Sequence, residues 1–308
     1  MIEPRLFKRL EMKKAQLDKL RPLPVAIVNR LREEILVQWI YNSNAIEGST
    51  ITLQETRLIL EAGMTVGGKS LREYFEVINH KEAILYVENL VQNPEPITAF
   101  QVRQIHRLIL VKIDEENAGS YRKTQIRIAG AKLVPPESWQ IANLMVEWSD
   151  WLAGADGALH PVALAAQAHH RLVAIHPFID GNGRTARLVM NLLLMQIGYP
   201  PTIIQRTNRK QYYAVLEQAD LGKVDALENF VGRAVEHSLN LYLAACTPKT
   251  KPPEEEDDWM PLREACVGVP YSQEYLSLLA RLGRLEAIKR GRNWYTTRRA
   301  IKAYTDSL

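Results

Sequence analysis

Between Ala26 and Cys246 the chain is a nearly unbroken series of amphipathic helical patterns, and that periodicity restricts it to an all-α body. "AIVNRLREEILVQWIYNSNAIEG" puts Ile27, Leu31, Ile35, Val37 and Trp39 on one broad face and stops at Gly48. Glycine ends helices because it carries no Cβ penalty in the left-handed conformation. "TLQETRLILEAG" follows, with Thr52 and Glu55 in capping-box spacing and Gly63 as its stop. The pattern continues through "SLREYFEVINHKEAILYVENLVQ", "ITAFQVRQIHRLIL" with Thr98 as N-cap, "ESWQIANLMVEWSDWLAG", "HPVALAAQAHHRLVAI", "RTARLVMNLLLMQIG", "RKQYYAVLEQAD" and "VDALENFVGRAVEHSLNLYLAAC". One stretch breaks it. In "GSYRKTQIRIAGAKLVPP", Thr124 is followed by alternating Gln125, Ile126, Arg127 and Ile128, a glycine turn, then Leu133-Val134 and two prolines. That alternation predicts a short β-hairpin.

Residues 247–258, "TPKTKPPEEEDD", combine proline and charge with nothing apolar to pack, and read as a linker. The expected organisation is an N-terminal helical region over 1–96, a core over 97–246, this linker, and a separate basic module over 259–308. The two cysteines, Cys246 and Cys266, show no CxxC spacing, which argues against a zinc site or a disulfide framework. The charged start "MIEPRLFKRLEMKKAQL" lacks the apolar centre of a signal peptide. The longest apolar run, "LVMNLLLMQI", falls short of the ~18 residues of a membrane span. A cytoplasmic protein with no membrane partner is the expectation.

The loop between two apolar helices carries the chemistry. "HPFIDGNGRTAR", His176 to Arg187, joins a histidine, an aspartate, a Gly-Asn-Gly turn and two arginines. The first turn of a helix presents unpaired N–H groups and the positive end of the dipole, so it suits an anion. Gly181 and Gly183 let the backbone approach a phosphate, and Asn182 offers an amide donor. Arg184 and Arg187, three apart, add two forked cations, which suits more than one phosphate. Asp180 is placed to hold magnesium, which takes one or two carboxylates and shares substrate phosphates. His176 can accept a proton near neutral pH. Phe178 reads as a core anchor. His169 and His170, on the preceding helix, read as core or supporting residues.

This loop resembles the signature of Fic-domain proteins, HxFx(D/E)GNGRxxR, at every position. The similarity runs from about Ile35 to Leu243 and is closest to the branch that includes the animal endoplasmic-reticulum enzyme. The resemblance implies a Fic helical bundle with a β-hairpin flap, Thr124–Ile128, and transfer of AMP from ATP to a hydroxyl of a target protein. It implies His176 as base, Asp180 on Mg2+, Gly181, Asn182 and Gly183 at the α-phosphate, and Arg184 and Arg187 at the β- and γ-phosphates. "SNAIEG", Ser43 to Gly48, is similar to the family's inhibitory motif, (S/T)xxxE(G/N). The implication is an autoinhibitory pair between Glu47 and Arg187, with Ser43 supporting it. Some relatives use the same glutamate to remove AMP, so deAMPylation is a second implied activity. Tyr212, Tyr213 and Asp220 lie where relatives contact adenosine. A homodimer is also implied.

The C-terminal module reads as two short helices and a hairpin around "KRGRNWY", and resembles small winged helix-turn-helix domains. Arg281, Arg284, Lys289, Arg290, Arg292, Arg298, Arg299 and Lys302 give it a charge suited to DNA phosphates. The competing functions are therefore a DNA-binding regulator whose main body senses nucleotide, and a metal hydrolase built on His169, His170, His176 and Asp180.

Overall fold

A computed structural model describes residues 1–128, 130, 132–155, 157–246, 259–282 and 284–306. The expected linker, 247–258, lies outside the described residues. The chain divides into two compact units, 1–246 and 247–308.

The first unit is built from α1 (Pro4–Lys19), α2 (Val25–Ile46), α3 (Leu53–Ala62), α4 (Leu71–Gln92), α5 (Ala99–Leu110), α6 (Ile141–Ala155), α7 (Pro161–Ile175), α8 (Asn182–Gln196), α9 (Arg209–Asp220) and α10 (Val224–Cys246). Local chemistry sets several of the ends. At α3 the Thr52 N–H donates to Glu55 Oε2 at 2.6 Å, and the Glu55 N–H donates to Thr52 Oγ1 at 3.2 Å. Gly63 closes that helix at φ +63°. Ser70 with Glu73, and Thr98 with Gln101, cap α4 and α5 in the same reciprocal way. Each such cap is worth about 1 kcal/mol.

Two apolar clusters meet at α7 and α8. Leu188, Val189 and Leu192 of α8 join α4, α5 and α6 on one side. Met190 and Leu194 join α1, α9 and α10 on the other. A helix buried on both flanks is held rigidly, since each fully buried aliphatic side chain contributes about 1.5–3 kcal/mol. The loop between α7 and α8 is thus carried on the most enclosed pair of helices. No helix among the described residues is long and apolar enough to cross a membrane.

Within the expected helical region 1–96, no helical pattern is specified before Ala26; α1 lies there and packs on α10 through Leu6, Leu10 and Leu17. Gly232 of α10 makes room for Leu6. The charge of this stretch masked an apolar stripe that Leu6 and Leu10 begin at i, i+4 spacing.

The hairpin at 124–134 also differs. No strand runs through its described residues. The fully buried Arg122 takes the acceptors that a ladder would use. Its guanidinium donates to the carbonyls of Thr124 at 2.9 Å and Pro136 at 2.6 Å, and to Gln125 Oε1 at 3.2 Å. Gln125 Nε2 donates to Pro135 O at 3.0 Å, and the two prolines have no N–H to give.

The second unit contains β1 (Met260–Pro261), α11 (Leu262–Ala265), α12 (Gln273–Arg281), β2 (Ala287–Arg290), β3 (Asn293–Thr296) and α13 (Arg298–Asp306). The strands are antiparallel in the order β1-β3-β2, with Lys289 opposite Trp294 and Arg290 opposite Asn293. Leu262, Leu276, Leu279, Leu285 and Ile301 form its core.

Candidate active site

α7 ends at His176, a left-handed residue with φ 50° and ψ 59°. Non-glycine residues adopt this conformation only when the surroundings hold them there. Here the His176 N–H donates to Leu172 O at 3.1 Å, and its carbonyl accepts from Arg122 Nε at 2.9 Å. The ring Nδ1 lies 3.2 Å from Val173 O. A carbonyl only accepts, so Nδ1 carries the hydrogen and Nε2 keeps its lone pair. Burial lowers the imidazole pKa from its ordinary value; the Val173 bond opposes this and the Arg122 charge adds to it. His176 is therefore a neutral base at pH 7.

Phe178 is buried and anchors the loop. Asn182 braces it. Asn182 Oδ1 accepts from the Phe178 N–H at 3.0 Å, and Nδ2 donates to the Phe178 carbonyl at 2.8 Å. The side-chain donor expected from Asn182 is thus engaged inside the loop, and only its backbone N–H remains for a ligand. Gly181 is the N-cap of α8 at φ 75°, with no side chain capping the helix. The first N–H groups of α8 are consequently open to an anion.

Asp180 is half exposed and gathers cations. Its Oδ1 accepts the Gly181 N–H at 2.6 Å and lies 3.3 Å from Arg184 Nη2, and its Oδ2 is bonded to Arg72 of α4. Burial works against ionisation, but Arg184, the Gly181 N–H and Arg72 together hold the carboxyl below its usual value. Arg184 also reaches Glu76 at 3.3 Å, while its buried Nε has no partner.

Arg187 is buried. Its Nη2 lies 2.7 Å from Glu47 Oε1 and donates to Ser43 O at 2.8 Å, and its Nε donates to Ser43 Oγ at 3.0 Å. The Nη1 atom is buried with no partner. Burial alone would loosen the guanidinium proton, but Glu47 raises the pKa above its ordinary value. Glu47 is the C-cap residue of α2 and sits over Gly183, where a Cβ would overlap Oε1. The carboxylate therefore occupies the space in front of the α8 N-terminus.

The remaining expected residues are more scattered. Tyr212 is buried with its hydroxyl 2.9 Å from His169 Nε2, so it is a core residue without an open face. Tyr213 is partly exposed and reaches Ile46 O only at 3.4 Å. Asp220 pairs with His170 at 2.8 Å. The histidines thus do not converge. Among the described residues, no group of three His, Cys, Asp or Glu side chains could hold a metal ion.

Sequence reasoning missed Arg72, Glu76, His106 and Arg122. His106 left a signal, because it lies between Ile105 and Ile109 on the apolar face of α5. Arg122 left none.

The Fic/DOC family model matches residues 96–194. A solved fragment of Fic-1 from C. elegans is 34% identical, covers 78% of this chain and 72% of its own, and superposes with a TM-score of 0.71. The chain belongs to the Fic family. A Fic-domain-containing signaling protein from Bacteroides thetaiotaomicron has the same fold, with a TM-score of 0.73 at 28% identity over 77% of this chain and 97% of that one. The protein adenylyltransferase Fic of Nematostella vectensis is 44% identical over 75% of this chain and 54% of its own length. This Fic chain spans about half the length of the curated relatives it matches.

Proposed function

We propose that this Fic chain transfers AMP from ATP to a hydroxyl group of a protein, and that Glu47 restrains it. The observation that carries the reading is the ion pair of Glu47 with the buried Arg187, set over Gly183 at an uncapped helix N-terminus. In the reaction the target oxygen bonds to the α-phosphorus and pyrophosphate leaves. His176 Nε2 takes the hydroxyl proton. The α8 N–H groups and Arg184 bind phosphate oxygens, and Arg187 can clamp the terminal phosphate only when Glu47 lets go. Two unpartnered guanidinium nitrogens, Arg184 Nε and Arg187 Nη1, support a polyanionic ligand.

Magnesium fits the donor set. Asp180 supplies one acceptor-only carboxylate at the anion site, and substrate phosphates would complete the sphere. When bound, the ion would offset phosphate charge. The run Gln125–Ile128 pairs in no strand among the described residues, which supports docking of a target segment as an added strand. Glu47 is only a third exposed yet sits at the phosphate cradle, which supports water-directed removal of AMP as a second activity.

The test is label transfer from α-labelled ATP with magnesium and a lysate. Glu47→Gly should label protein strongly, wild type weakly, and Glu47→Gly/His176→Ala about 10³-fold less than Glu47→Gly. Binding of ATP by Glu47→Gly with no transfer to any protein would sink the reading. Labelled product returned to wild type tests removal.

The C-terminal unit supports a separate reading as a winged-helix DNA-binding module. Its strand order β1-β3-β2 ends in an exposed basic turn at Lys289, Arg290 and Arg292. Duplex DNA binding by the full chain should weaken steeply with salt, and Arg290→Glu/Arg292→Glu should reduce both affinity and salt slope. Binding that ignores salt would overturn it.

A further inference from the structure

The buried histidine of α5 touches the catalytic loop from behind. His106 is fully buried and stacks on Phe178, with ring centroids 3.6 Å apart and planes 3° from parallel. Its two nitrogens have different partners. The Gly119 N–H donates to Nδ1 at 3.0 Å, so Nδ1 is bare and Nε2 carries the hydrogen. Nε2 lies 2.9 Å from the Asp180 carbonyl and must donate to it. Gly119 is also held on its other side, where its carbonyl accepts from Arg103 Nε at 2.7 Å.

A trans peptide points its C=O and N–H in opposite directions. With the Asp180 carbonyl turned back toward α5, the Gly181 N–H faces forward and binds Asp180 Oδ1. Flipping this peptide would swing the carbonyl toward the carboxylate and the anion site. Gly181, at φ 75°, has no Cβ to oppose the flip. The loop needs something else to choose one orientation.

We propose that His106 is a positioning residue: as the Nε2–H tautomer it pins the Asp180–Gly181 peptide, so that its C=O stays out of the anion site and the Gly181 N–H holds the Asp180 carboxylate in its aim. The Gly119 N–H at Nδ1 and the Asp180 carbonyl at Nε2 together admit only the neutral Nε2–H ring. The proposal rests on the phosphate-binding reading of the loop, and two of its readouts do not need AMP transfer.

The first is long-range proton–nitrogen NMR on histidine-labelled full chain at neutral pH. His106 should be protonated at Nε2 and bare at Nδ1. The opposite tautomer overturns the proposal. The second is ADP affinity in the Glu47→Gly background. His106→Phe keeps the ring stack but has no donor, and should weaken ADP by about tenfold or more. His106→Gln returns an N–H near the Nε2 position and should recover most of that loss, whereas His106→Asn, too short to reach Asp180, should not. Equal affinities for Phe and Gln variants, at matched folding by circular dichroism, would also overturn it. If ADP binding follows the proposal while Glu47→Gly transfers nothing, the transferase reading fails and the role of His106 stands.

Discussion

Two irregular segments meet at the same place in the Fic unit, and they are built on opposite logic. The loop 176–181 leaves donors open: the α8 N-terminus has no side-chain cap, and Arg184 Nε and Arg187 Nη1 have no partner. The segment 122–137 is tied down among its described residues, because one buried guanidinium collects its carbonyls at Thr124 and Pro136 together with that of His176 across from it. The segments are joined through the Arg122 N–H, which donates to Pro177 O at 3.0 Å. The first has the character of a receptor and the second that of a splint. A buried polar group is expected to find partners within the fold, and where it does not, a ligand is the physical alternative.

The contrast is sharpest in the loss of a single side chain. In the Glu47→Gly background, His176→Ala should cut transfer by about 10³-fold, the scale of a lost general base. Its unfolding free energy, by urea titration, should move by less than about 1 kcal/mol. Arg122→Met should do the reverse. It strands three carbonyls and should remove about 3 kcal/mol of stability. Stability unchanged in Arg122→Met would break the distinction.

Acid should separate stability from chemistry more gently. His106 and His169 are held neutral, at about 4 and about 3, chiefly by burial, and His80 is also well below its ordinary value. The unfolded chain would bind these protons near pH ~6.5, so between there and pH ~4 it holds more of them than the folded chain. Stability is then complete above pH ~6.5 and should fall as pH drops, by up to about 1.4 kcal/mol per unit for each such histidine. The Glu47→Gly transfer rate should stay flat to lower pH than an ordinary histidine would allow, because the His176 pKa is lowered and Glu47 was one of the groups raising it. A rate falling already at pH ~7.5 would contradict the neutral base. The smallest effect is expected at Tyr213→Phe. It loses one long bond at a partly exposed site, so less than about 0.5 kcal/mol should be seen in the same titration.

The legibility of the two segments differed for the same reason. His176, Asp180, Gly183, Arg184 and Arg187 could be read because packing gives no account of so many polar residues between two apolar helices. The boundaries of α3 and α5 were legible because capping is local chemistry. The hairpin expectation differed from the described residues because alternation in Gln125–Ile128 does not reveal that the neighbouring Arg122 turns inward and takes the acceptors. Helix α1 was missed because three leucines among many charges make a weak stripe until α10 is there to receive it. His106 looked like one more residue of an apolar face. Its role depends on Gly119 and Asp180, neither near it in sequence.

His176 carries one more consequence. A left-handed histidine costs roughly 1 kcal/mol relative to a glycine, which adopts that shape freely. The proposed base is therefore held in place against the preference of its own backbone. His176→Gly should fold at least as stably as the parent while being chemically inert. A laboratory selection that rewarded heat resistance alone would have reason to discard this residue early, and the surviving lineage would be sturdier and silent.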